Sequence, residues 1–490
     1  MLFNSFEFLL FFPVVTLIYF LLPHKFRWFH LLAASCLFYM FFVPIYILIL
    51  IFTIVIDYIA GIAIENSSGA RKKWFLILSL AANIGVLGFF KYYNFFALNI
   101  NGFFHVTNIK GHVNLLDIIL PIGLSFHTFQ AMSYNIEIYR GNQKAERHFG
   151  IYSLYVMFYP QLVAGPIERP QNMLHQFHER KYFNWTDVRE GLKIMLWGLF
   201  KKVVISDRLA LIDNNIFDKP HQYTGIPLLL GAVFFAFQLY CDFSGYSDIA
   251  LGSARVMGYD LMLNFNRPFV SKSISEVWRR WHISLSTWLN DYLFTPTVTS
   301  LRNWGSGAIV IGLMLTFFVS GFWHGAGWKF IVWGLILGVA IIYEFFTRKW
   351  RKKLFKKLPK WLGDSLSVLL TFCFFAFSCV FCRAHDIKDS IYIVTHFFTG
   401  WGQTLSYTGF KAMVTAIGGN DLIFGAFNLG IGVLLIIILE LLQSRMQGNN
   451  PGTVVAGKPL VVRWGFYLAM AVSVVLLGAF NQQEFFYFQF

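Results

Sequence analysis

The chain has 490 residues, of which 57% are hydrophobic, 19% aromatic and only 13% charged. Soluble domains carry about 25% charged residues, so this composition excludes an ordinary soluble protein and indicates a membrane protein. The net charge of +15 resides in short loops between apolar segments, as the positive-inside rule produces, and no compact basic domain is available to bind nucleic acid. We therefore predict an all-α polytopic membrane protein, a single domain over residues 1–490 with roughly ten to twelve transmembrane helices of about 20 residues each.

The first apolar segments predict how the chain enters the membrane. Residues 8–22 have no basic region before them and no small-residue cleavage site after them, so they predict an uncleaved first helix. The basic stretches 24–27 and 71–73 fall on one side if residues 29–64 cross the membrane twice. The positive-inside rule makes that side cytoplasmic and leaves the N-terminus outside.

Later segments extend this orientation. Residues 74–90 predict a further pass that ends in an outer loop at 92–114, where charges are few. In residues 348–360, 8 of 13 residues are Lys or Arg, which predicts a cytoplasmic loop in contact with anionic lipid. A last pass at 465–477 leaves the C-terminus outside.

Two segments do not fit simple crossings and predict re-entrant or tilted structure. The segment 152–166 is short and ends in Gly-Pro. If it crossed the membrane fully, the several basic residues that follow it would lie on the outer side. Residues 266–295 contain too many charged side chains for a conventional span. Irregular backbone inside a membrane is tolerated only where protein or water covers it.

His324 is the first candidate for a functional side chain. It lies between apolar residues 308–319 and 330–342, and an ionisable group at that depth indicates function. Neutral imidazole can take a proton from a hydroxyl near pH 7, so His324 is a candidate general base. The alternative is a histidine bonded to helix carbonyls or lying at the water interface, and spacing alone leaves both open. Gly325 and Gly327 predict close approach of a substrate at this point.

His282 is the second candidate. Trp278, Trp281, Leu285 and Trp288 recur at helical spacing around it, which predicts one continuous amphipathic helix with an aromatic face. One interpretation is an interfacial helix with snorkelling arginines. The other is that the arginines attract phosphates of a donor cofactor or lipid while His282 orients it.

Residues 240–248 form a polar island within an apolar stretch. Its carboxylates, Asp242 and Asp248, must be paired or hydrated. Arg255 or Arg267 is a plausible partner, and lining of a polar substrate tunnel is the alternative.

The cysteine content predicts neither redox chemistry nor a metal site. Cys379 and Cys382 form a lone C-x-x-C near His385, without a second pair, and are typical of small core residues at a helix end. The two histidine motifs lack an H-E-x-x-H pattern, so no bound metal is predicted.

The chain resembles the membrane-bound O-acyltransferases. Within them it is similar to the bacterial branch that contains the membrane subunits of alginate and peptidoglycan O-acetyltransferases and the teichoic acid D-alanyl transfer protein. The motifs that carry the resemblance are MLFNS at 1–5, LPIGLSF at 120–126, YPQLVAGP at 159–166, YCDFSGYSD at 240–248, NFNRP at 264–268, the segment 278–292 and FWHG at 322–325. The aromatic residues 485–490 are similar to the end of alginate-type members and favour polysaccharide acetylation.

The resemblance implies a fold and a function. The fold is a ring of helices around a thinned centre, where a cytoplasmic funnel for the acyl donor meets an outer funnel for the acceptor. The function is O-acetylation of an extracytoplasmic polysaccharide such as alginate, by an enzyme of the bacterial cytoplasmic membrane. The donor is acetyl-CoA as co-substrate, with no bound cofactor, and the acceptor is the sugar or a periplasmic esterase-like partner protein. Peptidoglycan O-acetylation and D-alanyl transfer are the alternatives within the family.

The resemblance also assigns residues. The near-universal histidine of the family corresponds to His324 and the second histidine of this branch to His282, both expected to be catalytic. Candidate donor or substrate contacts are Trp281, Arg279, Trp323, Asp242, Tyr240 and Asn266.

Two rival classes of function come from outside the family. A transporter would explain charges in the membrane but predicts internal repeats, and the sequence shows none. A structural scaffold would need no buried His324.

Overall fold

The protein is all-helical in a computed structural model that describes residues 1–479 and 485–486, and no β-strand occurs among these residues. The chain packs as two compact units, one of Met1–Leu192 with Ala250–Met262 and one of Lys193–Ile249 with Leu263–Phe490. The single domain expected from the sequence stays a prediction. Of the aromatic end at 485–490, residues 487–490 lie outside the described part of the chain.

The first unit is built from short and long helices in sequence order. They are α1 Phe6–Leu21, α2 His24–Met40, α3 Ile47–Glu65, α4 Gly69–Leu87, α5 Tyr93–Thr107, α6 Leu124–Arg140, α7 Phe149–Met157, α8 Tyr159–Leu162, α9 Pro170–His178 and the first part of α10 Trp185–Leu199. A π-helical turn, Gly88–Tyr92, joins α4 to α5. The outer loop predicted at 92–114 is therefore helical as far as Thr107, because the apolar side chains after residue 92 continue a helix.

Helices α7 and α8 form the buried centre of the first unit. They contain 9 and 4 residues, too few to cross about 30 Å of hydrocarbon, as expected for residues 152–166. The backbone at Gly123 has φ +78°, and a Cβ there would lie 2.6 Å from the carbonyl oxygen of Leu162. Only glycine fits this contact.

The second unit continues from the end of α10 through a π-helical stretch, Phe200–Ser206. Its helices are α11 Asp207–Phe217, α12 Ile226–Val256 except its last residues, α13 Ile274–Arg280, α14 Ile283–Leu289, α15 Thr295–Ser300, α16 Ser306–His324, α17 Trp328–Phe355, α18 Lys360–Arg383, α19 Ile387–Thr395, α20 Trp401–Thr404, α21 Tyr407–Ile417, α22 Leu422–Arg445 and α23 Leu460–Leu477. Helices α13 to α15 have at most 7 residues each, as expected for a region that does not make a conventional crossing.

Within the described residues, 8 helices are long and apolar enough to cross a membrane. They are Pro44–Glu65, Gly69–Thr107, Ile226–Val256, Ser306–His324, Trp328–Phe355, Lys360–Arg383, Leu422–Arg445 and Leu460–Leu477. The all-α polytopic class is confirmed, but this number is below the predicted ten to twelve. Helix α1 is apolar with only 16 residues, and α2 and α6 have 17 residues with several polar side chains.

Helices α16 and α17 pack very closely against each other near His324. A Cβ on Gly321 would lie 2.3 Å from the carbonyl oxygen of Phe330, and one on Gly334 would lie 2.2 Å from that of Phe317. Real Cβ contacts are never this short, so the two backbones touch through glycine alone. Small residues at such contacts are the usual means of close packing between membrane helices.

Replacing Gly334 by alanine is expected to separate α16 from α17 and to destabilise the protein by about 1–3 kcal/mol, the usual cost of overpacking. Thermal unfolding of the purified protein measures this. The matched control is Gly430→Ala in α22, where no heavy atom lies within 4 Å of the added Cβ; it should be neutral or slightly stabilising. Equal melting temperatures for the two variants would contradict the close packing.

Candidate functional site

His324 is the last residue of α16 and is only 3% exposed. Its Nδ1 lies 2.6 Å from the carbonyl oxygen of Ser320, one turn earlier. A carbonyl oxygen only accepts, so Nδ1 must carry the proton and donate it. In the neutral ring the basic lone pair is therefore on Nε2. The hydrogen bond to a helix carbonyl, which was the alternative to a catalytic role, is thus present. It also fixes the tautomer in which Nε2 can act as a general base.

Aromatic rings hold His324 from two sides. The imidazole is perpendicular to the indoles of Trp323 and Trp333, with centroid distances of 5.0 and 4.8 Å. Perpendicular ring pairs of this kind are favourable and orient both partners. The ring of Phe330 fills the space beside Gly325, where a Cβ would lie 2.1 Å from it. Packing against Phe330 therefore requires glycine at position 325, and the close approach of a substrate stays a prediction.

His282 also packs against Trp323. The centroids of its imidazole and the Trp323 indole are 5.9 Å apart, so both imidazoles contact the same indole. The His282 ring is fully buried and is contacted edge-on by Phe243 at 4.7 Å. The structure thus brings together the two histidines that the sequence placed 42 positions apart.

The helix predicted around His282 is interrupted at that residue. His282 has φ 45° and ψ 53°, in the left-handed region, and separates α13 from α14. The prediction of one continuous amphipathic helix is therefore wrong. The cause is a tertiary contact: Asn264 accepts hydrogen bonds from the backbone N–H of Ile283 with its carbonyl and from that of Ser284 with its Oδ1, at 2.9 and 3.2 Å. Asn264 thereby satisfies the free N–H groups at the start of α14.

Asn264 also orients His282, although it was not among the predicted site residues. Its Oδ1 lies 3.2 Å from Nδ1 of His282 and accepts a bond from the Ser284 hydroxyl at 2.9 Å. An amide oxygen accepts, so His282 donates through Nδ1 and keeps its lone pair on Nε2. The candidate from the same motif was Asn266, which is exposed and bonds to Arg280 through its backbone. Only the first asparagine of NFNRP reaches a histidine.

Trp281 and Tyr240 share one aromatic cluster. Their ring centroids are 6.0 Å apart, and both pack against Phe265 and Phe269. The hydroxyl of Tyr240 accepts a bond from Gln443 at 2.8 Å. Arg279, by contrast, is exposed at the end of α13, so it does not join this cluster.

The two carboxylates of the polar island are paired with lysines. Lys202 lies 2.6 Å from Asp242 and 2.8 Å from Asp207, and Lys201 lies 2.7 Å from Asp248. The prediction that Arg255 or Arg267 is the partner is wrong for both carboxylates. Arg255 instead pairs with Asp260 and with Asp187 of α10. Two lysines inside the apolar run 194–205 are the sequence signal that could have revealed these pairs.

A carboxylate from α17 holds the start of α13. Glu344 accepts hydrogen bonds from the backbone N–H of Ile274 at 2.7 Å, and from the N–H and hydroxyl of Ser275 at 3.0 and 2.8 Å. Negative charge at a helix N-terminus is favourable. Since α13 ends one residue before Trp281, Glu344 positions the segment that carries His282.

Replacing Glu344 by alanine should lower activity about tenfold to a hundredfold, because small misplacements of a reacting group have effects of this size. The activity of the purified variant measures this, and Glu344→Gln, which keeps one acceptor oxygen, should lose less. The matched control is Asp364→Ala, which removes a half-exposed carboxylate paired with Lys272 at 2.9 Å; such surface pairs matter little. An equal loss of activity in Asp364→Ala would contradict the positioning role of Glu344.

The cysteines are buried or surface thiols and form no cluster with other ligands. Cys379 and Cys382 are free and buried. Among residues 1–479 and 485–486, no group of three or more His, Cys, Asp or Glu side chains is arranged to hold a metal ion.

The fold and the buried site define a polytopic membrane protein with ionisable groups inside it, a class in which such groups carry function. Comparison with known proteins agrees. The membrane-bound O-acyltransferase family matches residues 147–384. Over 94% of the chain and 91% of the relative, the chain is 33% identical to the peptidoglycan O-acetyltransferase of Helicobacter pylori. The chain therefore belongs to the membrane-bound O-acyltransferase family, and it is an O-acyltransferase.

Two other relatives show how the branch divides. The probable alginate O-acetylase AlgI of Azotobacter vinelandii is 38% identical over 70% of this chain and 68% of its own length. The teichoic acid D-alanyltransferase of Bacillus subtilis is 30% identical over 53% of this chain and 68% of its own. The similarity thus spans relatives with different acyl groups and acceptors. Membership of an enzyme family excludes the transporter and scaffold alternatives.

Proposed function

We propose that the protein transfers an acetyl group from acetyl-CoA in the cytoplasm to a hydroxyl of a polysaccharide outside the cytoplasmic membrane. The protein would lie in that membrane with both termini on the outer side. The observation that carries this proposal is that two buried imidazoles pack against one indole, that of Trp323, and that an acceptor holds Nδ1 of each. Acetyl-CoA acts as a co-substrate that binds only for the reaction.

The chemistry follows from the lone pair on Nε2 of His324. Nε2 takes the proton of the acceptor hydroxyl as its oxygen attacks the thioester carbonyl carbon. The tetrahedral intermediate then collapses, the carbon–sulfur bond breaks, and the coenzyme A thiolate takes up the proton from the imidazolium. His282, fixed by Asn264, orients the thioester beside Trp323. Burial of both rings excludes water, which would otherwise hydrolyse the thioester.

The remaining candidate contact residues have different roles in this proposal. Trp281 and Tyr240 would form an apolar wall for the acyl chain, since their aromatic cluster shares Phe265 with His282. Arg279 is exposed and would attract donor phosphates by charge. Asp242 serves the Lys202 ion pair and supports the site indirectly.

An exopolysaccharide such as alginate is the first candidate acceptor, supported by the probable alginate O-acetylase aligned over 70% of the chain. Peptidoglycan is a second candidate, supported by the relative aligned over 94% of the chain. In either case a periplasmic esterase-like partner could receive the acetyl group first and pass it to the sugar.

The test uses purified protein in detergent with acetyl-labelled acetyl-CoA. Alginate oligosaccharides, peptidoglycan fragments and a periplasmic extract are supplied as separate acceptors, and both free coenzyme A and labelled acceptor are measured. Label on one acceptor identifies it, and label on a protein in the extract identifies a partner. Turnover with a D-alanyl carrier protein and none with acetyl-CoA would overturn the proposal in favour of D-alanyl transfer.

A further inference from the structure

A single carboxylate is buried among three helices of the first unit. Asp57 of α3, Ser79 and Asn83 of α4, and Asn135 of α6 are all 0% exposed. Ser79 and Asn83 are four positions apart and therefore share one face of α4. Asp57 lies in the span Pro44–Glu65, where an ionisable group is costly and indicates function. The acyl-transfer site uses none of these residues.

The groups that surround Asp57 are neutral. The Ser79 hydroxyl donates to its Oδ1 at 2.6 Å, Nδ2 of Asn83 donates to both carboxylate oxygens at 2.8 and 2.9 Å, and Nδ2 of Asn135 donates at 2.9 Å. In the part of the chain that the structure describes, no Lys, Arg or His is paired with Asp57. A buried charge without an opposite charge is strongly unfavourable, even when it is hydrogen-bonded.

Three side-chain oxygens on the helices around Asp57 are buried and lack hydrogen-bond partners among the described residues. They are Oδ1 of Asn83, Oδ1 of Asn135 and the hydroxyl of Tyr152 in α7. Both amides point their nitrogen atoms at Asp57. The ring of the fully buried Tyr152 packs against those of Tyr58 and Tyr134, the chain neighbours of Asp57 and Asn135, at 6.0 and 4.5 Å. Since buried polar atoms are almost always satisfied, these oxygens need a partner, and a cation would supply one while neutralising the carboxylate.

We propose that Asp57, Ser79, Asn83, Asn135 and Tyr152 form a binding site for a monovalent cation such as Na⁺. The donor atoms are all hard oxygens, which suit alkali and alkaline-earth cations. One positive charge neutralises the one carboxylate, whereas a divalent ion would leave a net charge buried in hydrocarbon. A half-turn of either amide replaces nitrogen by oxygen at nearly the same position, so Asn83 and Asn135 can turn from donors to ligands.

Cation binding at this point ties α3, α4 and α6 together and couples the stability of the first unit to sodium concentration. A ligand that binds only the folded state raises the melting temperature in proportion to the logarithm of its concentration above Kd. The proposal is independent of the acyl donor and acceptor, because its readout is stability.

The test is thermal unfolding of the full-length purified protein at constant ionic strength and pH, with choline chloride replaced stepwise by NaCl. We expect the melting temperature of the wild type to rise by a few degrees, in step with the logarithm of the sodium concentration above Kd, and that of Asp57→Asn not to rise. Ser79→Ala keeps the carboxylate and loses one ligand, so the sodium concentration at which its melting temperature begins to rise should be about tenfold higher, as for a lost contact of about 1.4 kcal/mol. The exposed loop variant Asp117→Asn should behave as wild type.

If Asp57→Asn does not fold, equilibrium binding of radioactive ²²Na⁺ to wild type and Ser79→Ala gives the same comparison. Equal melting in sodium and choline, with no bound ²²Na⁺, would mean that Asp57 carries a proton or that the cluster holds only water. That result would overturn the proposal, as would a full sodium response in Asp57→Asn.

Discussion

His324→Ala is expected to reduce acyl transfer by about 10²- to 10⁴-fold, the usual contribution of a general base. The imidazole Nε2 is the atom proposed to accept the hydroxyl proton, and an alanine side chain has neither this basic atom nor the Nδ1 bond to Ser320 that orients it. His324→Gln, which keeps a polar side chain of similar length, should fail equally because glutamine is not a base.

The matched control for this variant is His127→Ala in α6. His127 is equally buried, at 2% exposure, and its Nε2 lies 2.9 Å from the Thr53 hydroxyl, but it has no part in the proposed chemistry. Initial rates of coenzyme A release and size-exclusion profiles of all variants give activity and folding separately. A His324→Ala enzyme within about threefold of wild type would contradict the general-base role.

A double variant separates the two histidines. If His324 and His282 act on one transition state, His282→Ala should add little to the loss already caused by His324→Ala, because residues that act as a unit are not additive. Independent roles would instead multiply the two losses.

Lys202→Met is expected to destabilise the protein by about 3–5 kcal/mol, the usual cost of breaking a buried ion pair by removing one partner. Lys202 is 3% exposed and Asp207 and Asp242 are each 2% exposed. Without the ammonium group, two carboxylates would remain buried side by side. The backbone N–H of Phe486, which donates to Asp242 at 2.8 Å, is a neutral donor and cannot replace it.

Further substitutions distinguish the loss of charge pairing from the loss of packing in Lys202→Met. Adding Asp207→Asn and Asp242→Asn to Lys202→Met removes the uncompensated charges and should restore most of the lost melting temperature. Lys272→Met is the control, since its pair with Asp364 is half exposed and such pairs contribute at most about 1 kcal/mol. A triple variant that is less stable than Lys202→Met alone would show that shape, and not charge, dominates.

Some features of the protein are local and could be predicted from the sequence. Membrane class follows from composition, because crossing the hydrocarbon core requires segments of about 20 predominantly apolar residues. The family follows from motifs such as FWHG at 322–325. His324 stands out because a histidine between apolar segments is unusual in itself.

Only the tertiary structure decided which side chains meet. The break at His282 depends on Asn264, whose side chain replaces the missing cap of α14, and no local propensity reveals a partner 18 positions away. Arg255 or Arg267 was the charge partner predicted for Asp242 and Asp248. The partners are lysines because Gly198 and Gly245 let two backbones approach until a Cβ would lie 2.6 Å from the facing carbonyl oxygen, and that distance is a property of packing.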